Sequence, residues 1–130
     1  QLEEGKRMIK ERPDLMSVNE IQQVADSYGK GTSGYIDCLL AGAKAYPQDV
    51  TAQNNAALAL IEAGRTQEAV ALLQKAPQDA SLQNLLGVAY LKQGNIEDAR
   101  SMFRQAASAG NAQAQENLKM LEKVTEYYAE

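Results

Sequence analysis

The sequence predicts an all-α fold, a stack of antiparallel helix pairs, on three observations. The chain repeats itself at an offset of 30 residues: Pro47-Gln48-Asp49 recurs as Pro77-Gln78-Asp79, Gly64 as Gly94, Ala69 as Ala99, Leu73 as Phe103 and Ala76 as Ala106. A period of this size marks stacked supersecondary units, because no single unit can bury its apolar face alone. Between the repeated turn residues, apolar side chains recur at helical spacing. The composition agrees: there is no Trp and one Phe in 130 residues, so the core must be built from Ala, Leu, Ile, Val and Met, and small residues suit closely packed helices.

Each element follows from its own punctuation. Residues 1–16 form a lead-in segment, a short helix from Gln1 to Arg12 with Leu2, Met8 and Ile9 as its apolar side, stopped by Pro13 because proline cannot continue the hydrogen-bond ladder. Ser17-Val18-Asn19-Glu20 is a capping box, in which serine hydroxyl and glutamate carboxylate satisfy each other's free backbone donors, so a helix starts at Val18. Its stripe is Val18, Ile21, Val24, Ala25 and Tyr28, and the glycine-rich run Gly29 to Gly34 breaks it. A return helix from Ser33 or Gly34 to Tyr46 carries Ile36, Leu39, Leu40, Ala43 and Ala45, which makes residues 17–47 a first, divergent pair.

Residues 48–79 form the second pair, Val50 to Ala63 and Thr66 to Ala76, with Gly64 free to adopt the left-handed conformation that ends a helix. Residues 80–110 form the third, Ala80 to Gln93 and Ile96 to Ala109, with Gly94 in the same role. Asn95 is expected to cap the return helix through its side chain, with Glu97 and Asp98 near the positive helix end. Residues 111–130 are a C-terminal capping helix that starts on Asn111 and reaches about Tyr128. Ala114, Leu118, Leu121, Val124 and Tyr128 share one stripe, while Glu116, Lys119, Glu122, Lys123 and Glu126 make the other faces wet. All of these belong to one domain.

Charge and composition exclude several function classes. The net charge is −4 with no basic block, which argues against nucleic acid, whose binding depends on clustered Lys and Arg. Lys6, Arg7, Lys10 and Arg12 are diluted by Glu3, Glu4 and Glu11 and read as a solvated helix face. There is no His and a single cysteine, so no metal site of the Cys/His type, no intrachain disulfide and no cofactor are expected. Cys38 reads as a small buried hydrophobe, since Asp37 beside it is the wrong sign to activate a thiol. Lys30-Gly31-Thr32 is not a phosphate loop, because position 24, where the upstream glycine would fall, is Val24. No apolar run is long enough to span a membrane. The first residue is Gln rather than Met, which leads us to expect a piece of something longer. Asp37, Asp49, Asp79, Glu97 and Asp98 fall at turns, helix starts or wet faces, and no nucleophile and base pair suggests itself, so no catalytic residue is expected.

At Leu86-Gly87-x-x-Tyr90, then Ala99-x-x-x-Phe103 and Ala106, the chain resembles the tetratricopeptide repeat (TPR) family. Ala57, Leu60, Ala69 and Leu73 give a smaller-residue version in the preceding repeat. Gln83 replaces the signature tryptophan and Asn111 the closing proline. The spacing of 30, against the family's usual 34, implies a second helix shorter by about one turn. The resemblance implies a right-handed superhelical α-solenoid that acts as a non-catalytic interaction module. Its first helices would line a groove for a protein or peptide partner, or for another domain of the same polypeptide. By alignment the groove positions are Thr51, Asn54, Asn55, Leu58 and Glu62 from one repeat, and Ser81, Asn84, Val88, Leu91 and Lys92 from the next. The family's clamp for a terminal carboxylate is not reproduced, as Asn54 and Leu58 stand at two of its positions. Asparagine amides would hold an extended backbone over an apolar floor of Leu58, Val88 and Leu91. The competing reading has those three packed against the first helix pair or the lead-in helix, which would favour a spacer with no ligand. A glycan-binding element is the weakest reading, for want of free aromatic residues.

A narrower resemblance rests on Met16 to Glu20, the glycine-rich turn, Tyr35-Ile36-Asp37 and Tyr46-Pro47-Gln48-Asp49-x-x-Ala52-x-x-Asn55-Ala56-Ala57. This pattern is similar to the C-terminal TPR-like region of OmpA-like envelope proteins of Gram-negative anaerobes. It implies a cell-envelope location, in the periplasm or associated with the outer membrane, with the cytoplasm left open.

Overall fold

The structure, a computed structural model, describes residues 2–129; Gln1, where the lead-in helix was expected to begin, and Glu130 lie outside them. The chain runs α1 (Leu2–Glu11), a 3-10 turn (Pro13–Leu15), α2 (Val18–Tyr28), α3 (Ser33–Ala45), α4 (Val50–Glu62), α5 (Thr66–Lys75), α6 (Ala80–Lys92), α7 (Ile96–Ser108) and α8 (Ala112–Ala129). No strand occurs among the described residues. The fold is the TPR-like α-solenoid that the repeat predicts.

The helix starts are made by side chains. The Ser17 hydroxyl accepts from the Glu20 amide at 3.0 Å while the Glu20 carboxylate accepts from the Ser17 amide at 2.8 Å, closing the capping box. Asp49 accepts from Ala52 N at 2.8 Å, Asp79 from Ser81 N and Leu82 N, and Asn111 from Ala114 N at 2.8 Å. Asn95 departs from expectation: α7 has no side-chain cap, and the Asn95 amide instead donates toward Gln93 Oε1 at 3.4 Å. Its backbone, at ψ 77°, is not in the extended conformation from which a cap side chain reaches over the first turn.

Helix ends use glycine. Gly64 and Gly94 sit at φ +80° and +83°, and the following amides, Arg65 N and Asn95 N, return to Leu60 O and Tyr90 O at 2.8 and 2.9 Å. This five-residue return is the Schellman closure, which needs a left-handed residue that glycine adopts without a Cβ penalty. α5 has 10 residues where α4, α6 and α7 each have 13, so the short repeat does lose about one turn of its second helix.

Small residues set the pair spacing. Ala57, Leu60, Ala69, Ala99, Phe103 and Ala106 are wholly buried, Leu73, Leu86 and Gly87 nearly so. Tyr90 is half-buried, its hydroxyl accepting from Gln74 Nε2 at 2.9 Å. One continuous apolar cluster runs from Ile9 through α2–α5 to Ala89, and a second, small one holds Ala99, Phe103 and Leu121 with Val88, Tyr90 and Leu118 against it. On α8 the expected stripe is buried only as far as Leu121: Val124 is 49% and Tyr128 81% exposed. The last turns of this 18-residue helix run beyond the end of the antiparallel α7, and none of the described residues covers them there.

Candidate functional site

Short connections make successive helices antiparallel, so α4, α6 and α8 run in one direction and α5 and α7 in the other. α4 packs directly on α6, whereas α5 and α7 make no comparable contact among the described residues. At this pair the first helices are the closer ones, so the chain bends there toward the face that α4 and α6 share, the inner face. The groove expected from alignment lies on this inner face.

None of the ten groove residues is buried. Thr51, Leu58, Glu62, Ser81, Leu91 and Lys92 are exposed, and Asn54, Asn55, Asn84 and Val88 are half-buried. Thr51 and Asn55 border a depression of about 270 Å³ together with Val18, Asn19 and Gln22 of α2 and the cap residue Asp49. Leu58 and Leu91 are 40% and 39% exposed, so the reading in which they pack under the first helix pair does not hold. The lead-in helix is committed elsewhere, to α2 and α3, where Gly5 lies against Val24 and Lys6 Nζ stands 4.4 Å from the centre of the Tyr28 ring.

Four groove residues already have partners within the chain: Glu62 Oε1 lies 3.8 Å from Lys30 Nζ, the Ser81 hydroxyl donates to Asp79, and Asn84 and Val88 are engaged as follows. Asn84 Oδ1 accepts from Asn117 Nδ2 of α8 at 3.0 Å, and Val88 packs against the cluster that Leu121 of α8 forms with Ala99 and Phe103 of α7. Seven residues make two turns on one helix face. Leu91 and Val124 therefore stand on the same faces as Asn84 and Asn117, about 10 Å further along, and both are open. The cleft between α6 and α8 is closed at its amide end and open at its apolar end.

The charged residues are accounted for locally. Arg7 pairs with Glu4 and Glu11, Lys6 with Glu3 and Arg12 with Asp14, as a solvated face would. Asp49 and Asp79 cap helices, and the Ser81 hydroxyl together with the Leu82 and Ser81 amides holds the Asp79 carboxyl below the usual carboxylate range. Burial and then the Asp37 charge push the Cys38 thiol up, which leaves it protonated and inert. Among the described residues no group of His, Cys, Asp or Glu is placed to hold a metal ion, and no helix is long and apolar enough to cross a membrane. What the inner face offers chemically is amide hydrogen bonding beside open leucines.

The sequence carries no direct sign of three side chains that tie neighbouring elements together. Gln53, buried, donates from Nε2 to the carbonyls of Ala43 and Tyr46, both at 3.0 Å. The Tyr46 hydroxyl donates to the Met16 carbonyl, with the Asp14 carbonyl sharing the proton at 3.2 Å, which ties the 3-10 turn to the end of α3. Arg100, 8% exposed, donates to Glu97, to Glu122 Oε1 at 2.6 Å and to Thr125 Oγ1 at 3.0 Å, which fastens α8 to α7. For Gln53 and Arg100 the available signal was a polar residue standing next to apolar ones on a core-facing stripe, beside Ala52 and Ala99.

Two family models, both described as tetratricopeptide repeat, match residues 36–82 and 60–121. Together they span about two-thirds of the chain. No curated protein matches the chain.

Proposed function

We propose, on the premise that the chain belongs to the tetratricopeptide repeat family, that it is a non-catalytic interaction module whose inner helix face takes an extended peptide or a neighbouring domain. The observation that carries this reading is the exposure of Leu58 and Leu91 on that face, at 40% and 39%, beside Asn54 and Asn55. Apolar side chains left open next to amides match what an extended peptide presents, alternating apolar side chains and backbone hydrogen-bonding groups. By its narrower resemblance, the module is part of a larger cell-envelope protein and works in the periplasm or at the outer membrane.

The test is a pull-down from a membrane-and-periplasm fraction with the parent and the Leu58→Glu/Leu91→Glu variant, its fold checked by circular dichroism. A partner retained by the parent and lost by the folded variant supports the groove. The same partners captured by both would sink it. One observation favours a second reading, a spacer with no ligand: Asn84 is bonded to Asn117 of α8 and Val88 packs on the Ala99, Phe103 and Leu121 cluster, so part of the face is closed by the chain itself.

A further inference from the structure

We infer that α8 is a separately opening latch, which leaves the stack as a unit while α2–α5 stay folded, and that Arg100 is its fastening. The apolar attachment of α8 is small: of its 18 residues only Ala114 and Leu121 are buried, with Leu118 half-buried. Leu121 belongs to the small second cluster, not to the one that joins α1 through α6. Contiguous elements with few buried contacts open locally at lower free energy than the whole domain.

The remaining attachment is polar. Arg100 reaches Glu122 and Thr125, Asn117 reaches Asn84, and Gln115 Nε2 donates to Ala107 O at 3.3 Å. Glu122 is half open to solvent already, with its side chain 48% exposed. When α8 leaves, Arg100 and Glu122 both regain water, and that hydration offsets much of the lost ion pair. What remains is a modest hold, of the size that a tenfold change in opening reports, and Arg100 carries the largest share of it with its bonds to Glu122 and Thr125.

Two further features suit a latch. Gly110, at φ +93°, centres a short turn between α7 and α8 that is closed on the α7 side, Asn111 N returning to Ala106 O at 3.0 Å, so α7 keeps its own ending when α8 leaves. α8 also presents Lys119, a wet residue, two turns into its length, where α6 presents Gly87 to its own return helix. The Lys119 side chain is 78% exposed, so no helix among the described residues packs on that side of α8. Opening uncovers Asn84, Val88 and the Phe103 ring, so α8 governs access to the last part of the groove; this consequence rests on the groove reading above, while the opening itself does not.

Hydrogen exchange of the full chain, followed by mass spectrometry across a low denaturant series, tests it without any ligand. α8 amides should exchange faster than those of α2–α5 and with a weaker denaturant dependence. Arg100→Ala, and independently Leu121→Ala, should lower α8 protection by about tenfold or more and leave α2–α5 at the parent's level. α8 exchanging in step with α4 and α6, or either variant lowering protection evenly along the chain, would overturn the latch.

Discussion

Gly87 lies so close to Phe103 that a Cβ built on it would stand 2.5 Å from the ring Cε1 and 2.6 Å from Cδ1. Phe103 is wholly buried and has no room to turn away. Gly87→Ala gains about 1 kcal/mol of helix propensity but overpacks this contact by ~1 to 3 kcal/mol. The expected outcome is a lower melting temperature, restored in part by adding Phe103→Leu, which shortens the ring side. A Gly87→Ala protein that melts at or above the parent would show that the helices can separate without loss.

Phe103 fills the space that Gly87 and Ala99 leave. Phe103→Ala should cost ~3 to 5 kcal/mol, the cavity adding to the lost transfer energy. Ala99→Leu should cost ~1 to 3 kcal/mol by the opposite mechanism, overpacking. Chemical denaturation at equilibrium measures both. If both variants unfold at the parent's denaturant midpoint, the second cluster contributes nothing to stability.

Much of this architecture is written locally. Ser17 and Glu20 stand at capping-box spacing, and Gly64 and Gly94 mark helix ends because only a residue without Cβ adopts a φ near +80° at no steric cost. The small residues Ala57, Gly87 and Ala99 recur because each repeat needs the same close approach. What escaped depends on tertiary neighbours. Arg100 reads as a surface arginine until α8 folds back and sets Glu122 and Thr125 beside it. Val124 and Tyr128 continue a perfect stripe, yet no helix reaches them. Gln53 and Gln83 occupy equivalent repeat positions, but Gln83 donates to Gln105 of α7 at 3.4 Å instead of to the end of the preceding helix, and nothing local in the sequence separates the two. The groove residues came from alignment with a family, and only the tertiary arrangement places Asn84 and Val88 under α8.

The Asp79 carboxylate couples the stability of α6 to pH. Its pKa is lowered by the Ser81 hydroxyl and by the Leu82 and Ser81 amides, so the folded chain binds its proton less readily than the unfolded one. A group of this kind stabilises the fold above the ordinary carboxylate range, and the contribution is lost as pH falls through that range and below it. Asp79→Ala should therefore be less stable than the parent by about 1 kcal/mol at neutral pH, with the difference shrinking in acid. Asp79→Asn, which caps without titrating, should show no such change. Melts of the three proteins from neutral pH into acid check this, and a parent-to-alanine difference that stays constant across the range would refute it.

Gln53 stands in for an amide that proline lacks. The residue four after Ala43 is Pro47, which has no N–H to return to the Ala43 carbonyl, and the buried Gln53 side chain supplies the donor at 3.0 Å. The Tyr46 carbonyl keeps a second donor, Asp49 N at 3.1 Å, so its loss matters less. Gln53→Leu preserves the volume but orphans the Ala43 oxygen, and should cost ~1 to 3 kcal/mol. Pro47→Ala restores an N–H and frees Tyr46, at ψ 67°, to turn helical and bring that N–H to Ala43, so the double variant should recover part of the loss in a thermodynamic cycle. Strictly additive effects of the two changes would show that the glutamine stabilises α3 by packing and not by answering that carbonyl.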